Sequence, residues 1–261
     1  MLKDFYDKHR NFSRRTLTEY NISPGIKCKF DILKANLSTK KIFNNALDLG
    51  ASGNSFLFFL DNVKNKSFLD IAELPLKQSK YKIIGHPVCS DLNNLPYRNE
   101  SFDFISALDV LEHVKDDQVA VSEMGRILKN SGIAVITVPH RMKYFTNQDR
   151  IIGHYRRYEV DELVNLFRKF NLIHLKTFGI YGRLMRISDI QSANPNNVEE
   201  YLADLRYRYE NNQTFRIIWN LIVKILSKLM KIDAKYQSLK KTMNIALIFK
   251  KNSFLYNLKK L

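Results

Sequence analysis

Four apolar runs in the first half of the chain each lead to an aspartate: FNNALD ends at Asp48, KSFLD at Asp70, YKIIGHPVCSD at Asp91 and FDFISALD at Asp109. The intervals of 22, 21 and 18 residues approximate a strand, a crossover and the next strand. That repeat confines the chain to a largely parallel sheet, because consecutive parallel strands need a connection that returns across the sheet. It also brings the four acids to one edge, at the carboxyl ends of the strands, where open α/β sheets bind ligands. Carboxylates in a row there suit a nucleoside-bearing ligand, whose hydroxyls and amino group donate hydrogen bonds.

The remaining elements follow the same logic. Residues 1–40 read as two short helices around a Ser23-Pro24-Gly25 turn, forming an N-terminal helical segment. Strands are expected at 44–49, 66–71, within 81–89, at 102–108 and, opened by Gly132 and stopped by Pro139, at IAVITV. SFLFFLDNV reads as a helix after the first strand, and 116–129 as another. Val160, Leu163, Val164, Phe167 and Phe170 share one face of a helix over 159–170. Strand six is expected at 172–178, and MNIALIFKK over 243–251 as a last strand. Residues 41–180 plus 243–251 thus form one domain, interrupted by a helical insertion over 181–242 that is expected to serve as a substrate lid. Strand–helix alternation up to residue 180 argues a sheet covered on both faces.

The turn after the first strand, Asp48-Leu49-Gly50-Ala51-Ser52-Gly53-Asn54, carries its glycines for physical reasons. Gly50 lets the chain bend, and Gly53 lets backbone N–H groups approach a ligand at a helix start. Asp48 can accept from the turn or from a ligand ammonium. Asp70 follows at the distance from which a carboxylate reaches ribose hydroxyls. The turn is not GxGxxG, so it fits more than one nucleotide-binding fold.

ALDLGASGN, FLDIAELPL, DLNNLPYRNESFDFISALDVLEHV and GRILKNSGIAVITVPH together resemble the class I S-adenosylmethionine-dependent methyltransferases, in particular the broad group related to quinone-biosynthesis methyltransferases. The likeness spans about 44–180 and resumes at 243–251. It implies a Rossmann-like doubly wound α/β sheet, mostly parallel with an antiparallel last strand, helices on both faces and a helical insertion before that strand. It implies S-adenosyl-L-methionine as cofactor. Carried over residue by residue, Asp48, Gly50, Ser52 and Gly53 would cradle the methionine end. Asp70 would hold the ribose, Asp91 the adenine amino group with Leu92 beside the ring, and Asp109 would lie near the methionine moiety. The family turn usually reads DxGxGxG; here Ser52 and Asn54 stand at two glycine positions, and each side chain narrows the approach to the cofactor.

Methyl transfer from a sulfonium needs alignment more than acid–base chemistry, and a base only if the acceptor is protonated. Candidate bases are His113, His140 and His154. The run GHYRRY offers Arg156, Arg157 and Tyr158 for a phosphate or carboxylate on the substrate; the alternative is that its arginines pair with Asp149, Glu159 or Asp161. No His, Asp or Glu set has a metal-ligand spacing, so no metal is expected.

Charge adds one more constraint. Lys and Arg number 42 against 26 Asp and Glu, a net +16, which favours phosphorylated substrates, polyanions or anionic lipid surfaces. Within the insertion, FRIIWNLIVKILSKLMK is apolar except for a narrow stripe through Arg216, Asn220, Lys224, Ser227, Lys228 and Lys231. A helix so apolar must be covered by protein or lipid. Residues 215–231 are therefore expected either to pack on the core or a second copy, or to rest on a membrane and admit a lipid-linked acceptor. The expected location is cytoplasmic, because the first residues lack an apolar h-region and no window reaches membrane-spanning length. Cys28 and Cys89 have neither metal nor redox spacing. The expected function is methyl transfer to a small or lipid-linked acceptor. Two alternatives are a nicotinamide-dependent oxidoreductase and a non-catalytic RNA- or membrane-binding protein on the same fold. Tyr201, Arg206, Tyr207, Arg208 and Tyr209 interleave aromatic and basic residues at helical spacing, without a nucleic-acid-binding signature.

Overall fold

The structure is a computed structural model and describes residues 16–37, 41–77, 83–184 and 195–252. Seven strands form one sheet: β1 (Phe43–Leu49), β2 (Val63–Asp70), β3 (Gly85–Cys89), β4 (Phe102–Leu108), β5 (Leu128–Pro139), β6 (Leu172–Tyr181) and β7 (Asn244–Lys251). Their order is β3-β2-β1-β4-β5-β7-β6. The first five strands pair in parallel, and β7 runs antiparallel to both β5 and β6. This is the Rossmann-like sheet the sequence implies. The chain runs outward from β1 to β3 and then returns to β4 on the other side of β1. That reversal opens a crevice beside the carboxyl end of β1.

Alternating residues of the central strands feed two cores. Leu47, Leu49, Ile105, Ile136, Leu247 and Phe249 face one side. There they meet α4 (Asp117–Ile127) and α6 (Val160–Arg168), and the Phe167 ring stacks on Phe249 at 4.1 Å. Ala46, Phe104, Val135 and Ala246 face the other side, in one core with Phe30 and Leu33 of α2 (Pro24–Asn36) and Leu76 of α3 (Glu73–Leu76). Burial on both faces is what continuous apolar strand sequences require.

Ser23 separates two helices as expected, and Pro24-Gly25 start the second of them. Ser23 Oγ accepts from Ile26 N at 3.3 Å and Pro24 takes the first helical position, where its missing N–H costs nothing. The short α1 (Glu19–Ile22) ends directly before it; residues 1–15 of the expected first helix lie outside the described residues. The expected helix SFLFFLDNV is not formed. Its place is taken by a single 3-10 turn, Phe56–Phe59, because β2 begins already at Val63 and leaves no room for a helix and its exit. The turn is held instead by burial of Phe56 and Leu57 and by Ser55 Oγ, which accepts from Leu57 N.

Two helices that contact each other, α7 (Pro195–Asn211) and α8 (Gln213–Tyr236), lie in the described part of the insertion and pack on the N-terminal helices and β6. Trp219 Nε1 donates to Ile22 O at 3.0 Å, Lys231 pairs with Asp31 at 2.9 Å, and Arg206 pairs with Glu19. The polar stripe of α8 is thereby partly turned inward: Val223, Ser227 and Ala234 are buried while Ile217, Leu221, Ile225, Leu229 and Ile232 are exposed. No described helix is long and apolar enough to cross a membrane.

Candidate functional site

A cavity of about 250 Å³ opens at the carboxyl edge of the sheet, beside the reversal at β1. Each parallel strand delivers lining residues as it ends: Gly50 after β1, Asp70 and Ile71 from β2, Asp91, Leu92 and Asn93 after β3, Asp109 and Val110 after β4. His113, Val114, Lys115 and Tyr155 complete the wall.

The backbone at this edge is shaped for close approach. Gly50 has φ of +67°, and a Cβ there would stand 2.4 Å from Val110 Cγ2, so no other residue fits without displacement. Ser52, at one of the family's glycine positions, adopts φ of 48°. Its N–H donates to Asp70 Oδ2 at 2.8 Å, and Ala72 N donates to Oδ1 at 2.9 Å. Burial raises the Asp70 carboxyl, opposed by those N–H groups. Asp91 Oδ1 accepts from Asn93 N at 2.8 Å, an Asx-turn that leaves Oδ2 outside this bond. Leu92, 6% exposed, supplies the adjoining apolar wall.

Residues 47–136 match the family described as a methyltransferase domain. An uncharacterised protein of Methanocaldococcus jannaschii is 29% identical over 185 residues, covering 69% of this chain and 74% of that one. A probable S-adenosylmethionine-dependent methyltransferase of Mycobacterium tuberculosis is 28% identical over 94 residues, which is 35% of this chain and 34% of the relative's length. Among solved structures, a SAM-dependent methyltransferase from Thermotoga maritima has the same fold, with a TM-score of 0.64 at 17% identity over 97% of this chain and all of that one. Residues 47–136 carry a methyltransferase domain, and the fold is that of the S-adenosylmethionine-dependent methyltransferases.

The cavity fits the S-adenosylmethionine that the resemblance implies: carboxylates on its wall, an apolar wall beside them, and a glycine where a Cβ has no space. Of the residues expected at the cofactor, Gly50, Asp70, Asp91, Leu92 and Asp109 line this cavity, whereas Asp48, Ser52 and Gly53 do not. Asp48 lies behind the turn, 3% exposed, accepting from Ser55 Oγ and Ser106 Oγ. It ties the glycine turn to β4.

The burial of Asp48 has a consequence for stability. It lifts the carboxyl to about 6, against the hydrogen bonds from Ser106 and Ser55. The folded chain therefore holds this proton more tightly than the unfolded chain, whose ordinary value is near 4. The sign follows: stability from this group is full below about pH 4 and falls as pH rises toward 6. Asp48→Asn removes that slope. Urea denaturation at pH 4.5 and 7 should show the variant gaining roughly 2 kcal/mol on the wild type between the two.

Asp109 stands at the centre of a network that the sequence did not reveal. At φ of 56°, it accepts from Thr137 Oγ1 and Asn244 Nδ2, each at 2.8 Å, and pairs with Lys29 Nζ at 2.5 Å. Burial would raise its carboxyl, but the Lys29 ammonium and these donors prevail and hold it at about 2. Lys29 comes from α2, 80 residues earlier, and only the packing of α2 on the sheet brings it here.

The candidate bases separate. His113 lines the cavity, while His140 and His154 do not. His140 is buried, with Nδ1 3.2 Å from Thr242 O, and burial lowers its basicity. His154 bonds through Nδ1 to Asp149 Oδ1 at 2.7 Å. The residues expected to bind substrate are committed to the protein instead, along the alternative that pairs the GHYRRY arginines with carboxylates. Arg157, 4% exposed, grips Asp149 through Nε and Nη2 at 3.1 and 2.8 Å. Arg156 Nη1 pairs with Asp117 Oδ2 at 2.7 Å, and Tyr158 Oη donates to the same oxygen at 2.9 Å. These contacts clamp the loop after β5 to α4 and α5 (Asn147–Ile151). Tyr155, in that loop, is what reaches the cavity.

Proposed function

We propose that the enzyme methylates a small or lipid-linked acceptor, which enters beside His113, Val114, Lys115 and Tyr155 and meets the cofactor over Gly50. The observation that carries this reading is that one cavity is lined by two kinds of residue. Asp70, Asp91 and Leu92 are an acidic and apolar set suited to an adenosine. Val110, Val114 and Tyr155 belong to a second set, with His113 and Lys115 as its polar groups.

When bound, the cofactor supplies a methyl group already electrophilic on its sulfonium. Asp70, fixed by the Ser52 and Ala72 N–H groups, accepts from the ribose hydroxyls. Asp91 Oδ2 accepts from the adenine amino group, and Leu92 covers the ring. The Lys29–Asp109 pair complements the zwitterionic methionine end: Asp109 takes its ammonium and Lys29 its carboxylate. The wall residues align acceptor and methyl and exclude water, which is the main demand of an in-line displacement. His113 is the base for a protonated acceptor, being the candidate histidine on the cavity wall.

Thermal shift separates this reading from a nicotinamide enzyme. S-adenosylhomocysteine at about a hundred times its Kd is expected to raise Tm by roughly 5–10 °C. NAD at the same concentration is expected to leave it unchanged. A response to NAD alone would overturn the reading.

The lipid-linked part rests on α8. Its exposed Ile217, Leu221, Ile225, Leu229 and Ile232 form one apolar face with Lys224, Lys228 and Lys235 exposed along its edge, an arrangement suited to an anionic lipid surface. Co-flotation with vesicles containing phosphatidylglycerol, lost in Leu221→Asp/Ile225→Asp, is the expected result. Absence of flotation would leave a small, freely diffusing acceptor.

A further inference from the structure

We propose that the methyl acceptor carries an anionic group, a carboxylate or a phosphate, held by Lys115 Nζ and Tyr155 Oη at the wall of the cavity. The assignment rests on the cofactor reading above, because it takes the wall residues that the cofactor leaves unused. Those residues come from two segments, the stretch after β4 and the loop after β5, and two contacts join the segments. Tyr155 N donates to Glu112 O at 2.8 Å, and Arg156 Nη2 donates to Lys115 O at 2.6 Å. Tyr155 is thereby set alongside residues 112–115, and His113, Lys115 and Tyr155 line one cavity.

Charge selects the class of acceptor. The acids on the cavity wall are Asp70, Asp91 and Asp109. Asp109 is already balanced by Lys29, and the nucleoside takes Asp70 and Asp91. Glu112, next to His113 in the chain, is wholly buried and does not reach the wall. Lys115 does reach it, is exposed, and pairs with no carboxylate among the described residues. The two acids that follow it in sequence are engaged elsewhere. Asp116 Oδ1 caps α4 by accepting from Val119 N at 3.2 Å, and Asp117 Oδ2 holds Arg156 and Tyr158.

An acceptor with a protonated amine would meet Lys115 and the bound sulfonium with no carboxylate left to pair with. An anionic acceptor meets two cations, and a partly enclosed cavity strengthens both the attraction and the repulsion relative to water. Lysine binds carboxylate or phosphate as a point charge, without the geometric demand of a guanidinium. Tyr155 Oη adds a directed donor, and Val110 and Val114 supply apolar wall for the rest of the acceptor. Arg156 and Arg157, spent on Asp117 and Asp149, leave the anion to Lys115. The net charge of +16 draws such a ligand toward the protein in the first place.

The test follows Tm of the full chain against inorganic phosphate at constant ionic strength, with and without S-adenosylhomocysteine. The expected stabilisation saturates, as binding to a site does, whereas general exclusion of phosphate from the surface keeps rising with concentration. Lys115→Glu should weaken the apparent affinity more than about tenfold, Tyr155→Phe should weaken it less, and Lys143→Ala, in the loop after β5, should leave it unchanged. Lys115 is exposed, so its variant should melt as wild type does without phosphate. Ethanolamine, a cation, should give no saturable shift. Dihexanoyl phosphatidic acid separates two sources of the anion: binding tighter than phosphate by about tenfold or more marks a lipid headgroup, and equal binding marks a free acidic acceptor. A phosphate response that does not saturate, one that Lys115→Glu retains in full, or saturable binding of ethanolamine overturns the assignment. S-adenosylhomocysteine is titrated by calorimetry on the same samples, so failure of the cofactor reading shows as missing heat while the phosphate response persists.

Discussion

Asp70→Ala is expected to weaken S-adenosylhomocysteine binding by about two orders of magnitude or more. Each hydrogen bond from a ribose hydroxyl to the ionised carboxylate is worth roughly 1.5–3 kcal/mol, and two are lost together. The same substitution releases the N–H groups of Ser52 and Ala72, which now close the glycine turn against β2. Calorimetric titration measures the first effect. A parallel melting curve separates it from a general loss of folding, because the turn lies at the surface of the sheet edge while the two apolar cores lie behind it. Asp70→Asn should fall between wild type and alanine, since one amide oxygen still accepts. Undiminished affinity in Asp70→Ala would place the nucleoside elsewhere.

The second large effect is on stability. Arg157→Met should destabilise the fold by about 3–5 kcal/mol, because it strands a buried carboxylate. Asp149 is 2% exposed. Burial alone would raise its carboxyl, yet the hydrogen bonds from His154 and Arg157 hold it well below the usual carboxylate range. Removal of the guanidinium leaves that charge with His154 and the N–H and hydroxyl of Thr146. A fall in Tm of roughly 10 °C is the corresponding observation. The double variant Asp149→Leu/Arg157→Met should recover part of the loss, as exchange of a buried pair for apolar groups does in other folds. If the single substitution proved silent in denaturation, the clamp on the loop after β5 would have to lie in other contacts.

The four acids were legible in sequence because each closes an apolar run, and a parallel sheet converts that local pattern into a shared edge. β4 begins and ends where its pattern does, at Phe102 and Leu108. The antiparallel last strand was legible through the resemblance, since nothing in MNIALIFKK itself states a direction. The helix expected at SFLFFLDNV was not formed, because apolar content without a clear period fits a buried turn as well as a helix. Asp48 illustrates a different limit: its position beside the glycine turn is visible in sequence, but the sequence does not show whether it faces the ligand or the core. Arg156 and Arg157 offered the same ambiguity between a ligand and an internal carboxylate, and the folded chain provides the carboxylates Asp117 and Asp149. Lys29 on Asp109 was invisible because the pair spans the packing of α2 against the sheet. The inward turn of Ser227 and Lys231 on α8 was hidden for a similar reason, as their partners lie in the N-terminal helices.

The central claim is that carboxylates at the ends of the parallel strands hold an adenosyl sulfonium compound. A crystal structure with S-adenosylhomocysteine tests it most directly. The expected density places the ribose hydroxyls about 3 Å from the Asp70 oxygens, the adenine against Leu92 and its amino group on Asp91. Ligand bound away from Asp70 and Asp91, or a cavity that stays empty at saturating ligand, would contradict it.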